Sequence, residues 1–149
     1  MGTASFTDKG VILVGYDGSK YSQDALDYAA FEARLRDASV AVAIAWEVAP
    51  YDLGVTPEAL STVSRTAEAT LERAASYLKE HYPDIQFQTH LLEGEAAYAL
   101  IELAKEADLV VVGHRGRGGF ATLLLGSVSD QLIHHANVPV VVVRQKSIA

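Results

Sequence analysis

The chain has no cysteine, so a disulfide framework and thiolate chemistry are both excluded. Basic residues are scarce as well: 12 Lys and Arg stand against 19 Asp and Glu, for a formal net charge of −7. A protein that clamps a nucleic-acid backbone shows the opposite balance, so no nucleic-acid partner is expected and any anionic ligand must be met by local groups. No apolar run approaches the roughly 18 residues of a membrane span. The opening MGTASFTDKG also lacks the apolar stretch of a secretory signal, and Phe6 stands where a myristoylation signal wants Ser or Thr. The expectation is a cytoplasmic protein with no membrane partner, whose first nine residues are flexible.

What the chain has in plenty is apolar material, 50% of 149 residues, which suits one packed core and leaves no length for two. Residues 1–149 therefore read as a single domain. Val11-Ile12-Leu13-Val14, Ser39 to Trp46 and Leu109 to Val112 are short, mostly β-branched runs without polar alternation, the form of strands buried on both faces of a parallel sheet. Ile85, Phe87 and Leu91 alternate with polar residues, as in a strand nearer an edge. Val138 to Val143 is the last strand, and Pro139, which cannot donate to a ladder, places it at an edge or gives it an irregular start.

Between these runs the apolar spacing changes to three and four. Ala25, Leu26, Ala29, Ala30 and Ala33 follow Ser19 and Ser22, either of which can cap a helix start. Thr56 and Pro57 open a longer series, Leu60, Val63, Ala67, Leu71, Ala74 and Leu78, stopped by Pro83. Ala97, Leu100, Ile101 and Ala104 mark a third helix, and Val128, Leu132, Ile133 and Ala136 a short fourth. Strand and helix alternate throughout, which calls for an α/β fold: a doubly wound parallel sheet with helices on both faces. Ligands of such sheets bind beyond the carboxyl ends of the strands, where the strand order reverses.

Two strands run into unusual loops. The first leads into Gly15-Tyr16-Asp17-Gly18-Ser19, and the fourth into Gly113-His114-Arg115-Gly116-Arg117-Gly118-Gly119, with four glycines and two arginines in seven residues. Glycines let backbone amides turn toward a ligand, and arginine offers a fixed fork of donors to phosphate oxygens. Ten residues past Gly116, Gly126-Ser127-Val128 opens the last helix, whose free amides and dipole add to the same anion nest. No Gly-Lys-Ser or Gly-Lys-Thr triplet of a Walker loop occurs. Gly116 to Ala121 satisfies the loose dinucleotide pattern, but no following strand carries an acidic ribose partner, so that match is coincidental.

The spacing that fits is glycine, two residues, glycine, nine residues, then Gly-Ser: Gly113, Gly116, Gly126 and Ser127. This resembles the ATP-binding signature of the universal stress protein family. The segment GSVSDQLIHHANVPVVVVR from Gly126 to Arg144 is similar to that family's C-terminus, and ILVGYDGS to its first strand and aspartate. The resemblance, to the ATP-binding branch of the family, implies a five-stranded parallel sheet in the order 3-2-1-4-5 and a homodimer formed through the last strand, Val138 to Val143. It further implies an adenine nucleotide as ligand. Gly15 and Asp17 would border the adenosine, the backbone at Ala45 would meet adenine, and Gly113, Arg115, Gly116, Arg117, Gly118 and Gly119 with Gly126, Ser127 and Val128 would wrap ribose and phosphates. ATP, with or without magnesium, is the expected cofactor, and AMP and cyclic AMP stay open. Some relatives carry a histidine in the stretch here occupied by Ile44 to Glu47, which this chain lacks.

No catalytic residue and no metal ligand set is assigned. Efficient ATP turnover needs both positioning and charge stabilisation, and the chain shows no clear water-positioning base and no carboxylate pair for magnesium. The expectation is a nucleotide-dependent sensor or regulator of a stress response, with slow or no hydrolysis. Two alternatives share the fold. One is a nucleotide-free dimerisation module; the other is a phosphoacceptor receiver domain, which needs an acidic pair after strand one and an aspartate after strand three, where this chain has a lone Asp17 and Glu93.

Several residues have plainer readings. Asp17 can cap the first turn of a helix, and His134 and His135, being adjacent, diverge by about 100° on a helix and suit a surface better than a metal. His114 lies in the phosphate loop, but a Ser127, His114 and Asp17 triad has no Gly-x-Ser-x-Gly elbow to support it. Trp46, Tyr51 and Phe120 could stack on a base, yet core packing is the commoner role. Glu58, Glu68, Glu72 and Glu80 read as the solvated face of the long helix.

Overall fold

A computed structural model of the chain describes residues 9–47, 54–116 and 125–144. Five strands and four helices alternate: β1 Val11–Gly15, α1 Lys20–Arg36, β2 Ser39–Trp46, α2 Pro57–His81, β3 Phe87–Glu93, α3 Ala96–Ala104, β4 Leu109–Gly113, α4 Ser127–His135 and β5 Val140–Val143. All pairings are parallel and the order is β3-β2-β1-β4-β5. The chain winds outward from β1 to β3, then crosses back to lay β4 on the other side of β1. The strand order therefore reverses between β1 and β4. This order places β3 at an edge, away from β1, so Glu93 cannot join Asp17 in the acidic cluster of a receiver domain, whose third strand lies beside the first.

The uninterrupted apolar runs of β1 and β4 are buried on both faces. Ile12, Val14, Val40, Val42 and Val111 point to one face, which α1 and α2 cover with Ala25, Ala29, Ala33, Leu71, Ala74 and Leu78. Leu13, Ala41, Ala43, Val110 and Val112 point to the other, covered by Leu100 and Ala104 of α3 and Leu132 of α4. The alanine-rich face of α1 lets its backbone approach the sheet closely, which matters where the cleft forms.

The helix ends follow the signals in the sequence. Ser19 caps α1 by accepting from the Ser22 amide at 3.2 Å, and Thr56 caps α2 by accepting from Ala59 at 3.1 Å, with Pro57 in the first turn. The apolar stripe of α2 fails at its start, where Leu60 and Val63 are 39% and 38% exposed. A 25-residue helix is about 37 Å long, whereas strands of seven or eight residues span roughly 23–27 Å, so the first turns of α2 overhang the sheet. Glu58, Glu68, Glu72 and Glu80 are exposed, as expected.

Three boundaries differ from the sequence expectations. Ile85 is buried but precedes β3, in a turn closed by its amide on the Tyr82 carbonyl. Ile133 is 48% exposed, because α4 lies at a corner and buries only its Leu132 side. The last strand is shorter than Val138 to Val143: Val138 packs on the second cluster and Pro139 precedes β5, offering its carbonyl to the Val110 amide at 3.0 Å. The strand does lie at an edge.

A polar seam joins α1 to α2. One carboxylate oxygen of Asp27 accepts from the phenols of both Tyr77, at 2.7 Å, and Tyr82, at 2.9 Å. Burial first and the hydrogen bond to Asp27 second push the Tyr82 phenol up to about 12, and the same causes raise Tyr77 further. At the end of this seam nearest the cleft, the Tyr16 hydroxyl donates to Gln23 Oε1 at 3.3 Å.

Candidate functional site

The cleft opens at the carboxyl ends of β1 and β4. At the end of β1, Tyr16 makes the last bond of the strand, its amide donating to the Ala43 carbonyl at 2.8 Å. Its ring turns into the core under α1. Asp17 faces the other way. Its Oδ1 accepts from the Ser19 amide at 2.9 Å, and its own amide donates to Ser22 Oγ at 3.3 Å, so the carboxylate both shapes the turn into α1 and stands at the cleft.

At the end of β4, glycines permit three close approaches. A Cβ on Gly113 would lie 2.6 Å from the Tyr21 carbonyl oxygen, so the strand end touches the backbone of α1. A Cβ on Gly116 would lie 2.8 Å from Asp17 Oδ2, and one on Gly126 would lie 3.2 Å from Arg115 Cα. The β4 loop is thus pressed between the β1 loop and the start of α4. Gly126 also donates its amide to the His114 carbonyl at 2.6 Å. The N-cap of α4 is Gly126, and among the described residues no side chain caps the helix, so its first amides open toward the cleft.

These elements enclose a cavity of about 280 Å³. Ala43, Ala45, Leu100 and Val112 form its apolar floor, and Asp17, Arg115, Ser127 and Ser129 stand among its polar walls. Gly15 belongs to the floor for steric reasons. A Cβ there would come within 3.0 Å of Leu100 Cδ1 and 3.1 Å of Val112 Cγ1. Ala45 has a further property. The Ala43 carbonyl points toward β1 and the Trp46 carbonyl toward β3, where it accepts from Gly94, so by strand alternation Ala45 turns its N–H and C=O toward β1. The last β1 partner is Gly15, opposite Ala43, and the strand pairing does not reach Ala45. A donor and an acceptor therefore sit side by side at the cleft.

The structure brings together Gly15, Asp17, Ala45, Gly113, Arg115, Gly116, Gly126, Ser127 and Val128 around this one cavity. Arg117, Gly118, Gly119, Tyr51 and Phe120 lie outside the described residues. His114 is not among the described residues that line the cavity; its ring meets Tyr21 edge-on at 4.9 Å. Trp46 packs against the core, and His134 and His135 are exposed, His134 Nδ1 lying 2.8 Å from the Asp130 carbonyl. Among the lining residues left without a part in the site on sequence grounds are two buried serines, Ser22 and Ser129. Their signal is weak but real: a serine three residues into each helix-opening Ser or Gly cap, where its hydroxyl can reach the loop backbone.

Fold and cleft define a doubly wound α/β domain with a ligand cavity at its switch point. The Universal stress protein family profile matches residues 10–144. A universal stress protein of Mycolicibacterium smegmatis is 38% identical over 138 residues, which are 91% of this chain and 46% of the relative. The chain belongs to the universal stress protein family, and it spans about half the length of the curated relatives it matches. Among solved structures, a universal stress protein in complex with cAMP is 28% identical, with a TM-score of 0.60 over 93% of this chain and 98% of that one. The universal stress protein of Archaeoglobus fulgidus in complex with dAMP is 27% identical, with a TM-score of 0.68 over 89% and 96%.

Proposed function

We propose that the chain binds an adenine nucleotide of the ATP type in this cleft and acts as a nucleotide-dependent regulator of a stress response, hydrolysing its ligand slowly or not at all. The observation that carries this reading is the convergence of three separated segments, Gly15 to Asp17, Gly113 to Gly116 and Gly126 to Val128, on one cavity. The cAMP and dAMP complexes of related proteins support it, and so does the chemistry of the walls.

The N–H and C=O of Ala45 match the acceptor N1 and donor N6 of adenine, and mismatch guanine, which offers a donor and an acceptor in reverse. Asp17 suits a ribose hydroxyl. Arg115 and the uncapped amides of α4 suit phosphate oxygens, with Ser127 and Val128 at the helix start and Arg117, Gly118 and Gly119 joining by motif position. In this reading the chain pairs with a second copy along β5, whose outer edge is unpaired among the described residues, and works in the cytoplasm. Native mass spectrometry of the purified protein tests the reading: a retained AMP, ATP or cyclic AMP supports it, and no retained nucleotide together with no uptake on addition contradicts it.

A further inference from the structure

Ser129 is 2% exposed and lines the cavity, yet it lies outside the glycine signature. Its Oγ donates toward two carbonyls, Gly126 at 3.0 Å and His114 at 3.3 Å. The first belongs to the cap of α4 and the second to the residue directly after β4. Eleven residues separate these points in sequence, so the hydroxyl ties the two halves of the β4–α4 connection at its base. Each carbonyl already accepts one backbone amide, from Asp130 and Gly126 respectively, and the serine hydroxyl shares the lone-pair capacity that remains on them.

We propose that Ser129 is a positioning residue for the phosphate end of the cleft. It acts through the backbone: by clasping Gly126 to His114 it holds the uncapped amides of α4 opposite Arg115 and Gly116, so that both halves meet one phosphate group together. In the proposed reading the adenosine meets Gly15, Asp17 and Ala45, none of which Ser129 Oγ bonds. The proposal rests on the adenine-nucleotide reading of the site and adds to it a division of labour.

The division supplies the test. Ser129→Ala removes the hydroxyl and little volume, and affinities of wild type and variant for ATP, AMP and adenosine are measured by titration calorimetry, with thermal melting as a check on folding. One shared hydrogen bond corresponds to about a five- to tenfold loss for ATP and AMP, with adenosine held within about twofold. Ser129→Cys, a close match in volume and a weak donor, gives the same pattern if the alanine variant does not fold. Equal losses for all three ligands, or no loss for any, overturn the proposal while leaving the site reading intact. A wild-type protein that binds none of the three removes both.

Discussion

Gly113→Ala separates steric necessity from conformational freedom. Gly113 is not in the left-handed region, so alanine suits its backbone and only the surroundings resist it. A Cβ there would lie 2.6 Å from Tyr21 O, 2.7 Å from Tyr21 C and 2.8 Å from Tyr21 Cβ, about 0.8 Å short of an ordinary 3.4 Å contact. Two of those atoms are backbone of α1, so no side-chain rotation relieves the clash. The first turn of α1 must lift from β4, although Ala25, Ala29 and Ala33 are packed on the sheet with no exposure. Overpacking of this kind costs about 1–3 kcal/mol. For a chain of this size, a cost of about 2 kcal/mol lowers Tm by roughly 4–8 °C. Scanning calorimetry of wild type and variant without ligand reads it directly. A variant melting within about 1 °C of wild type refutes the close packing of β4 on α1.

Gly116→Ala has a different obstacle, the Asp17 carboxylate, which can rotate away, so Tm should change by under about 2 °C while nucleotide affinity falls several-fold. A melt as depressed as that of Gly113→Ala contradicts this. Tyr77 and Tyr82 ionise later when folded than the ordinary value near 10, so their contribution is present below pH 10 and lost as pH climbs toward about 12. Ultraviolet titration of the seven tyrosines should show a late phase that Tyr77→Phe with Tyr82→Phe removes, and a single midpoint near 10 for all seven in the folded protein counts against the Asp27 seam. Pro139 and Val143 turn their carbonyls to β4, so by strand alternation Val142 directs its amide outward; if the chain pairs along β5 as proposed, the wild type sediments as a dimer of 16.0 kDa chains and Val142→Pro as monomers, without disturbing the β4 ladder. A monomeric wild type, or a variant that keeps the dimer mass, contradicts pairing along β5.

Much of this fold was legible because its signals are local. The valine and leucine runs of β1 and β4 read as doubly buried strands and are so, and the Ser19, Thr56 and Pro57 starts follow from backbone chemistry at single residues. Leu60, Val63 and Ile133 misled because helical spacing reports a helix without reporting where the sheet beneath it ends. In the site, glycine spacing revealed which segments converge but not why each glycine is there. Gly113 accommodates α1 and Gly116 accommodates Asp17, both across long sequence distances, and Gly126 accommodates Arg115 across the β4–α4 connection. Ser129 escaped for the same reason: its two acceptors become neighbours only when β4 and α4 are assembled.

In the proposed reading, backbone geometry at Ala45 and the glycine-lined cavity together select an adenine nucleotide. Titrating ligand-free protein with AMP, ATP and GMP under one set of conditions tests it most directly. One adenine nucleotide should bind per chain, with GMP weaker by at least about tenfold because its base edge leaves the Ala45 donor and acceptor mismatched. No binding of either adenine nucleotide, or GMP bound as tightly as AMP, would contradict it.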